Sequence, residues 1–347
     1  MRDIPSSVLV KEIRAGWNLG NSLEVYRKKE ADLTPGDYET YWGNPITSPA
    51  LIEKVKKAGF NLIRIPVNWE CHMGESPDYK IDKVWFNRVK EIVDYAIDEK
   101  TFVIINIHHE GWIVPLEKNY STISDKLIKV WTQIADFFKD YDEHLIFQSM
   151  NEPRLVDTDI EWTDGNEEAR NVIKRLNLDF VRTIRSSGGN NLLRHLMITG
   201  YCSAGTENVV KDIQIPDDDK IIISVHAYKP YDFTLNFSGT SEWNSDIADD
   251  ISDIITISEN LKKYFINKNI PVIIDEFGSV NKFNNSIRLE HLRFFVSTFK
   301  KLGIPCAWWD NGVLDQNGER FGIINRQNGE WYFPDIAEAI MQYSNNC

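Results

Sequence analysis

The 347 residues carry 42% hydrophobic and 26% charged side chains, a balance that builds a folded core and excludes a disordered or polytopic membrane chain. The formal net charge of −13 repels phosphate backbones and anionic lipid surfaces, so no nucleic acid and no membrane is expected as a partner and a neutral substrate is favoured. Lys and Arg alternate with acids instead of clustering. Cys71, Cys202, Cys306 and Cys347 form no C-x-x-C pair, which signals neither a zinc site nor a dense disulfide framework. Met1 to Ser7 lacks the apolar centre of a signal peptide, and no run of 18 apolar residues occurs, so a soluble chain is expected.

In chain order, the first strand-like run is IRAGWN (13–18), followed by a helical stretch PALIEKVKKAGF (49–60). NLIRIPV (61–67) precedes the amphipathic WFNRVKEIVDYAIDEK (85–100), and FVIINIHH (102–109) precedes DKLIKVWTQIADFFKD (125–140). LIFQSMNE (145–152) leads to RNVIKRLNLDFVRTIRSS (170–187), while LMITGY (196–201) leads only to a short segment near 208–212. IIISVHAY (221–228), VIIDEF (272–277) and IPCAWWD (304–310) are each followed by another helical stretch, at 246–268, 287–303 and 334–344. Strands that are apolar almost throughout are buried on both faces, and strands alternating with helices make a parallel sheet. Eight such units predict a (β/α)8 TIM barrel, an α/β fold in which residues 1–347 form a single catalytic domain with no separate binding module. An open doubly wound sheet would normally place a Gly-rich phosphate turn after its first strand, and Gly16-Trp17-Asn18-Leu19-Gly20 has the wrong spacing for one.

A barrel places its chemistry at the carboxyl ends of the strands. Those ends carry Arg64, His108-His109-Glu110, Asn151-Glu152, His226 and Tyr228, Asp275-Glu276, and Trp308-Trp309-Asp310-Asn311. A Glu is ordinarily a solvated surface residue. Glu152 and Glu276 differ in that each follows an apolar run directly and is trailed by Pro153 or by Phe277-Gly278, so the proline is expected to end its strand right after Glu152. Two carboxyl groups on one rim are what glycosidic cleavage requires, one to protonate the leaving oxygen and one to attack the sugar carbon. His108-His109-Glu110 offers metal-ligand types, but consecutive strand residues face opposite ways and no H-E-x-x-H spacing is present, so no metal and no cofactor is expected. Ser203-Ala204-Gly205 forms no nucleophile elbow.

LIFQSMNEPR (145–154), RIPVNW (64–69), VIINIHHEGW (103–112), HAYKPYDF (226–233), IDEFGS (274–279) and AWWDNG (307–312) follow one another in the order and wording of a known pattern. From about Arg14 to Phe333 the chain resembles a family five glycoside hydrolase, the cellulase-type barrel family. GWNLGNSLE (16–24), the double His and WWDNG resemble its endoglucanase-rich subfamily, which accepts β-1,4-glucan, mixed-linkage glucan and often xyloglucan. The resemblance implies a retaining endo-β-1,4-glucanase with Glu152 as general acid/base and Glu276 as nucleophile. It further implies that Asn151 bonds the sugar 2-hydroxyl, that Arg64 holds Glu276 ionised and that Tyr228 orients it. His226 is then expected beside Glu152, His108 near the sugar and Trp309 beneath it. An Arg beside one carboxyl group and not the other is expected to separate their pKa values. Asn21, His109 and Asn244 are expected on the rim where specificity is set, and Trp42, Trp69, Trp112 and Trp243 are candidates for faces that stack on sugars. The implied partner is a β-glucan polysaccharide or oligosaccharide met outside the cell by a monomer. Two alternatives stay open: the same fold and mechanism on mannan or glucomannan, and an inactive glycan-binding barrel.

Overall fold

A computed structural model describes residues 1–27, 32–316 and 318–345; Cys347 lies outside them. Eight parallel strands close in the order β1 to β8: Ala15–Leu19, Leu62–Ile65, Phe102–Asn106, Leu145–Gln148, Leu196–Ile198, Ile221–His226, Val272–Phe277 and Cys306–Asp310. The helices that follow them are α1 Pro49–Lys57, α2 Lys83–Ala96, α3 Tyr120–Phe137, α4 Glu167–Ser186, α5 Glu207–Val210, α6 Ala248–Tyr264, α7 Asn285–Lys300 and α8 Pro334–Asn345. The expected (β/α)8 barrel is therefore the observed fold, including the single helical turn after β5.

Local signals start the helices where the periodicity begins. Ser48 caps α1 by accepting from the Leu51 N–H ahead of Pro49, and Asn166 caps α4 by accepting from Ala169, each contact contributing about 1 kcal/mol. Glu167 and Glu168 occupy the first turn of α4 and Arg185 its last, which complements the helix dipole. The buried faces, such as Leu51, Ile52 and Val55 of α1, pack onto the outside of the barrel.

Inside the barrel, alternate strand residues stack in layers. The lower layer is apolar: Leu62, Ile104, Ile146, Met197, Ile222, Ile273 and Ala307, closed from below by Leu9, Val10 and Ile13. Gly16 completes it, because a Cβ there would lie 2.5 Å from that of Ala307. Two residues further along, the interior turns polar on every strand but β8, where Trp309 stands, with Asn18, Arg64, Gln148, Ser224 and Asp275 all wholly buried. The step from one layer to the next is the two-residue period of a strand.

Two strand ends differ from the expectation. β3 stops at Asn106 and β4 at Gln148, so His108, His109, Asn151 and Glu152 stand on irregular backbone beyond the sheet. Pro153 therefore does not terminate β4. The Asn151 carbonyl instead accepts from the Ser203 hydroxyl, the Pro153 carbonyl from the Cys202 N–H at 3.1 Å, and the Glu152 carbonyl from Arg154 at 3.2 Å. The loop is held by side chains where the ladder has ended.

Candidate active site

Arg64 is the hub of the rim. Its Nη1 donates to Glu276 Oε1 at 2.6 Å and to Asn18 Oδ1 at 2.9 Å, its Nη2 to Asn151 Oδ1 at 2.7 Å, and its Nε to Gln148 Oε1 at 2.9 Å, with Asp275 Oδ2 3.2 Å from Nε. A planar guanidinium fixes several acceptors in one plane, which Lys cannot do. Gln148 and Ser224 in turn donate to Asp275 at 2.6 and 2.7 Å, so this buried acid is fully bonded.

Asp275 and Glu276 are adjacent in sequence yet both reach Arg64. A regular strand would turn them to opposite faces. The β6–β7 register resolves this: Val225 pairs with Ile274, but His226 pairs with Glu276, leaving Asp275 as the extra residue of a bulge. Bulges re-aim side chains in this way beside functional sites.

Glu276 is 5% exposed, and its Oε2 accepts from the Tyr228 hydroxyl at 3.0 Å. Glu152 Oε1 lies 2.6 Å from His226 Nδ1, while the same nitrogen is 3.5 Å from Glu276 Oε2 and His226 Nε2 is 3.5 Å from Asp275. Donor atoms of Glu152, His226 and Glu276 all fall within 4.8 Å of one another. Asn151 Oδ1 accepts from Arg64, which leaves its Nδ2 to donate elsewhere. His108 is buried with its ring parallel to that of Trp309 at 6.0 Å.

The electrostatics correct one expectation. Burial pushes Glu276 up; His226 and Arg64 pull it back, while Glu152 and Asp275 add to the rise, and the net shift is upward. Burial also opposes ionisation of Glu152, but the hydrogen bond from His226 brings it below the ordinary carboxyl value. Arg64 alone therefore does not set the order of the pair, because His226 is a second cation. Burial by itself would lower the imidazole; Glu276, Asp275 and Glu152 outweigh it and raise His226 to about 10. His226 and the two glutamates lie in such short contact that they titrate as a unit.

The same donors answer the metal question. Glu152, His226 and Glu276 are close enough to share an ion, but an imidazolium offers a proton instead of a lone pair, and Glu276 is already bonded to Arg64. The set fits acid–base chemistry better than coordination.

Around this centre the other expected residues separate. Asn21, in the left-handed region at φ 55°, gives its N–H to Glu24 and its carbonyl to Asn44 Nδ2 at 2.9 Å. His109 also has a left-handed backbone, at φ 56°. Its ring stands edge-on to His108 at 4.3 Å and 5.8 Å from Trp42. Both histidines thus reach the rim, contrary to the expectation from strand alternation, because the chain has left the strand. Asn244 lies in an exposed loop, its N–H donating to Asp250 at 2.8 Å. Trp42 and Trp112 are half-buried, whereas Trp69 and Trp243 are core residues whose indole N–H groups donate to the carbonyls of Asn106 and Asp250. Those two are not stacking faces. Sequence reasoning missed Trp162, 65% exposed with Arg154 over its ring at 4.1 Å. A cavity of about 270 Å³ beside Glu152 is lined by Tyr26, His109, Met150, Arg154 and Val156. Among the described residues no helix is long and apolar enough to cross a membrane.

Three raised pKa values make folding pH-dependent. Burial pushes Glu24 to about 7 and Glu110, helped by nearby Glu70, to about 8; the surrounding acids hold His226 at about 10. Each group binds its proton more tightly in the folded state, so its stabilisation is present below its ordinary value and is lost as pH rises through the folded one. For Glu143 burial is outweighed by Arg2 and the value falls to about 2, so its contribution is lost only as pH falls below 4.5. The thermal midpoint is expected to peak near pH 4.5 and to fall from there on the alkaline side, through about pH 7 and 8 for the two glutamates and further up for His226. Melting curves across pH would check this, with Glu110→Gln flattening the fall up to about pH 8.

Residues 26–315 match the family model described as Cellulase (glycosyl hydrolase family 5). The chain is 44% identical over 345 residues to the cellulase/esterase CelE of Acetivibrio thermocellus, covering 99% of this chain but 41% of that protein. Among solved structures it resembles a broad specificity endoglucanase from Ruminococcus champanellensis with bound cellotriose, at TM-score 0.94 and 43% identity, covering 98% of this chain and 99% of the other. It also resembles a xyloglucan-specific endo-beta-1,4-glucanase from a metagenomic library in complex with cellotriose, at TM-score 0.92 and 38% identity, covering 97% and 98%.

Proposed function

This chain belongs to glycosyl hydrolase family 5, the cellulase family, and from that premise we propose that it is a retaining endo-β-1,4-glucanase in which Glu276 is the nucleophile and Glu152 the general acid/base. The observation that carries this reading is the spacing of the carboxyl groups, with oxygens of the two within 4.8 Å. Retaining enzymes place the pair about 5–5.5 Å apart, whereas inverting ones leave about 6.5–9.5 Å for a water.

In the proposed cycle Glu276 attacks the anomeric carbon as Glu152 protonates the departing oxygen, giving a glycosyl-enzyme ester and a free chain end. The proton is supplied across the 2.6 Å contact with His226. As the new C–O bond forms, Glu276 loses its negative charge and the electrons of the glycosidic bond leave with the departing oxygen. The cationic His226 then no longer needs to serve the nucleophile, and its proton moves by way of Glu152 to that oxygen. Glu152, now ionised, takes a proton from water, which cleaves the ester and restores the pair. Arg64 and the Tyr228 hydroxyl hold the nucleophile in line throughout. Asn151 Nδ2, fixed by Arg64, is placed to donate to the 2-hydroxyl, and Trp309 with His108 provides the apolar floor.

The substrate class follows from the relatives: a β-1,4-linked glucan backbone, plain, mixed-linkage or xylosylated. A polymer of that size is met outside the cell, so we place the enzyme there, acting as a monomer through one catalytic domain. The test is release of reducing ends from carboxymethylcellulose, lichenan, xyloglucan and glucomannan assayed in parallel. The glucans are expected to be cleaved by the parent and not by Glu152→Gln or Glu276→Gln. Activity confined to glucomannan would make this a mannan-type enzyme, and binding without cleavage would make it a glycan-binding barrel.

A further inference from the structure

The loops after β6, β7 and β8 meet in a feature that the catalytic cycle does not use. Phe283 is 76% exposed and its backbone is held at φ 62°. A bulky residue in the left-handed region is strained, and this one recovers no burial in return. Its surroundings impose the conformation: the Phe283 N–H donates to Asn281 Oδ1 at 2.8 Å, and Asn281 Nδ2 donates to the Leu314 carbonyl at 3.1 Å. Lys282 ties the same turn to the carbonyls of Asp232 and Thr240, each at 2.7 Å.

Beside it, Arg320 lies between two rings, 4.4 Å from the centre of Phe237 and 4.7 Å from that of Phe283. Arg320 is only 7% exposed, and its Nε has no hydrogen-bond partner among the described residues. A buried guanidinium with an unsatisfied donor is costly unless something else supplies an acceptor. Phe237 is itself 41% exposed, so the two phenyl rings form a ledge open to solvent with the cation packed between them.

The ledge is continuous with the catalytic centre. Trp309, Phe321 and Val280 form one apolar cluster with Tyr228 and Leu235 packed against it, and the Tyr228 and Phe321 rings are 5.6 Å apart. Arg320 adjoins Phe321 in sequence, and its carbonyl accepts from Asn281 at 2.8 Å. On the other side, Glu319 is pushed up by partial desolvation and by the Glu152 carboxylate, which places this loop within the field of the acid/base.

We propose that Phe237, Arg320 and Phe283 form an extension of the cleft that binds a β-linked glucan chain beyond the reacting sugars. The C–H face of a pyranose stacks on Phe283, and its hydroxyl oxygens accept from Arg320. The inference rests on the glucanase reading for the identity of the ligand and gives the exposed, strained Phe a role.

The test is titration calorimetry in the Glu276→Gln background, with cellotriose and cellohexaose. Phe283→Ala is expected to weaken cellohexaose about 3- to 10-fold, the equivalent of one aromatic contact, and to weaken cellotriose less. Phe283→Trp should restore the affinity. Phe283→Gly should weaken cellohexaose equally while raising the thermal midpoint, since Gly accepts this φ without strain. Unchanged cellohexaose affinity in folded Phe283→Ala and Phe283→Gly, or an equal loss for both sugars, overturns the proposal, as does a background variant that binds no cellohexaose. If the parent cleaves no β-glucan but cellohexaose binding still depends on Phe283, the hydrolase reading fails and the platform stands.

Discussion

Glu276→Gln is expected to lower kcat on β-glucan by about 10⁴-fold or more, with the fold retained. The substitution is close to isosteric: the amide oxygen can still accept from Arg64 while the amide nitrogen donates to the Tyr228 hydroxyl oxygen, so residue 276 stays in place. What is lost is the nucleophile, since an amide cannot form the glycosyl ester. The comparison that gives this meaning is Glu152→Gln, which removes proton transfer and should cost about 10²–10⁴-fold. Its loss should shrink on aryl glycosides whose leaving group departs without a proton, whereas the Glu276 loss should persist on them. Steady-state rates on lichenan and on a dinitrophenyl cellobioside separate the two. A Glu276→Gln enzyme running near the parental rate would remove Glu276 from the reaction.

The second large effect is on Arg64, where stability and activity are expected to fall together. Arg64 is wholly buried among Asp275, Glu276, Gln148, Asn18 and Asn151. Arg64→Met leaves two buried acids against one remaining cation, His226, and strands the acceptors it served. Removing one partner of such a buried pair costs about 3–5 kcal/mol. Urea denaturation should report that loss, and kcat should fall with it because Asn151 and Glu276 lose their shared anchor. Arg64→Lys restores the charge but not the planar set of donors, so it should recover much of the stability and little of the rate. A Met variant as stable as the parent would mean that the buried acids are protonated in the folded protein and need no counter-ion.

The barrel was legible because its physics is written locally. Runs such as IIISVHAY and VIIDEF are too apolar for an exposed strand, and caps such as Ser48-Pro49 mark where helices begin. The carboxyl groups were legible because a Glu trailing such a run has nowhere to go but the rim. What alternation could not deliver were the departures from a regular strand. The bulge at Asp275 turns two neighbouring acids toward one Arg, and nothing in VIIDEF announces it. The same holds for His109, whose left-handed backbone returns it to the side of His108, and for Glu152, which stands beyond the end of β4. Tryptophans misled for a different reason: ring chemistry is the same in the core and on a rim, so Trp69 and Trp243 read like Trp309 until packing separates them. His226 lies beside Glu152 as expected, but its reach to Glu276 and Asp275 comes from the shifted register between β6 and β7 and is invisible along the chain.

The central claim is that two carboxyl groups this close perform a double displacement through Glu276. The most direct measurement is proton NMR of the anomeric signals during the first minutes of cello-oligosaccharide hydrolysis, before mutarotation mixes them. The account predicts that the β-anomer of the new reducing end appears first and the α-anomer grows in later. Appearance of the α-anomer first would mean a single displacement by water, and would contradict the roles assigned to both Glu276 and Glu152.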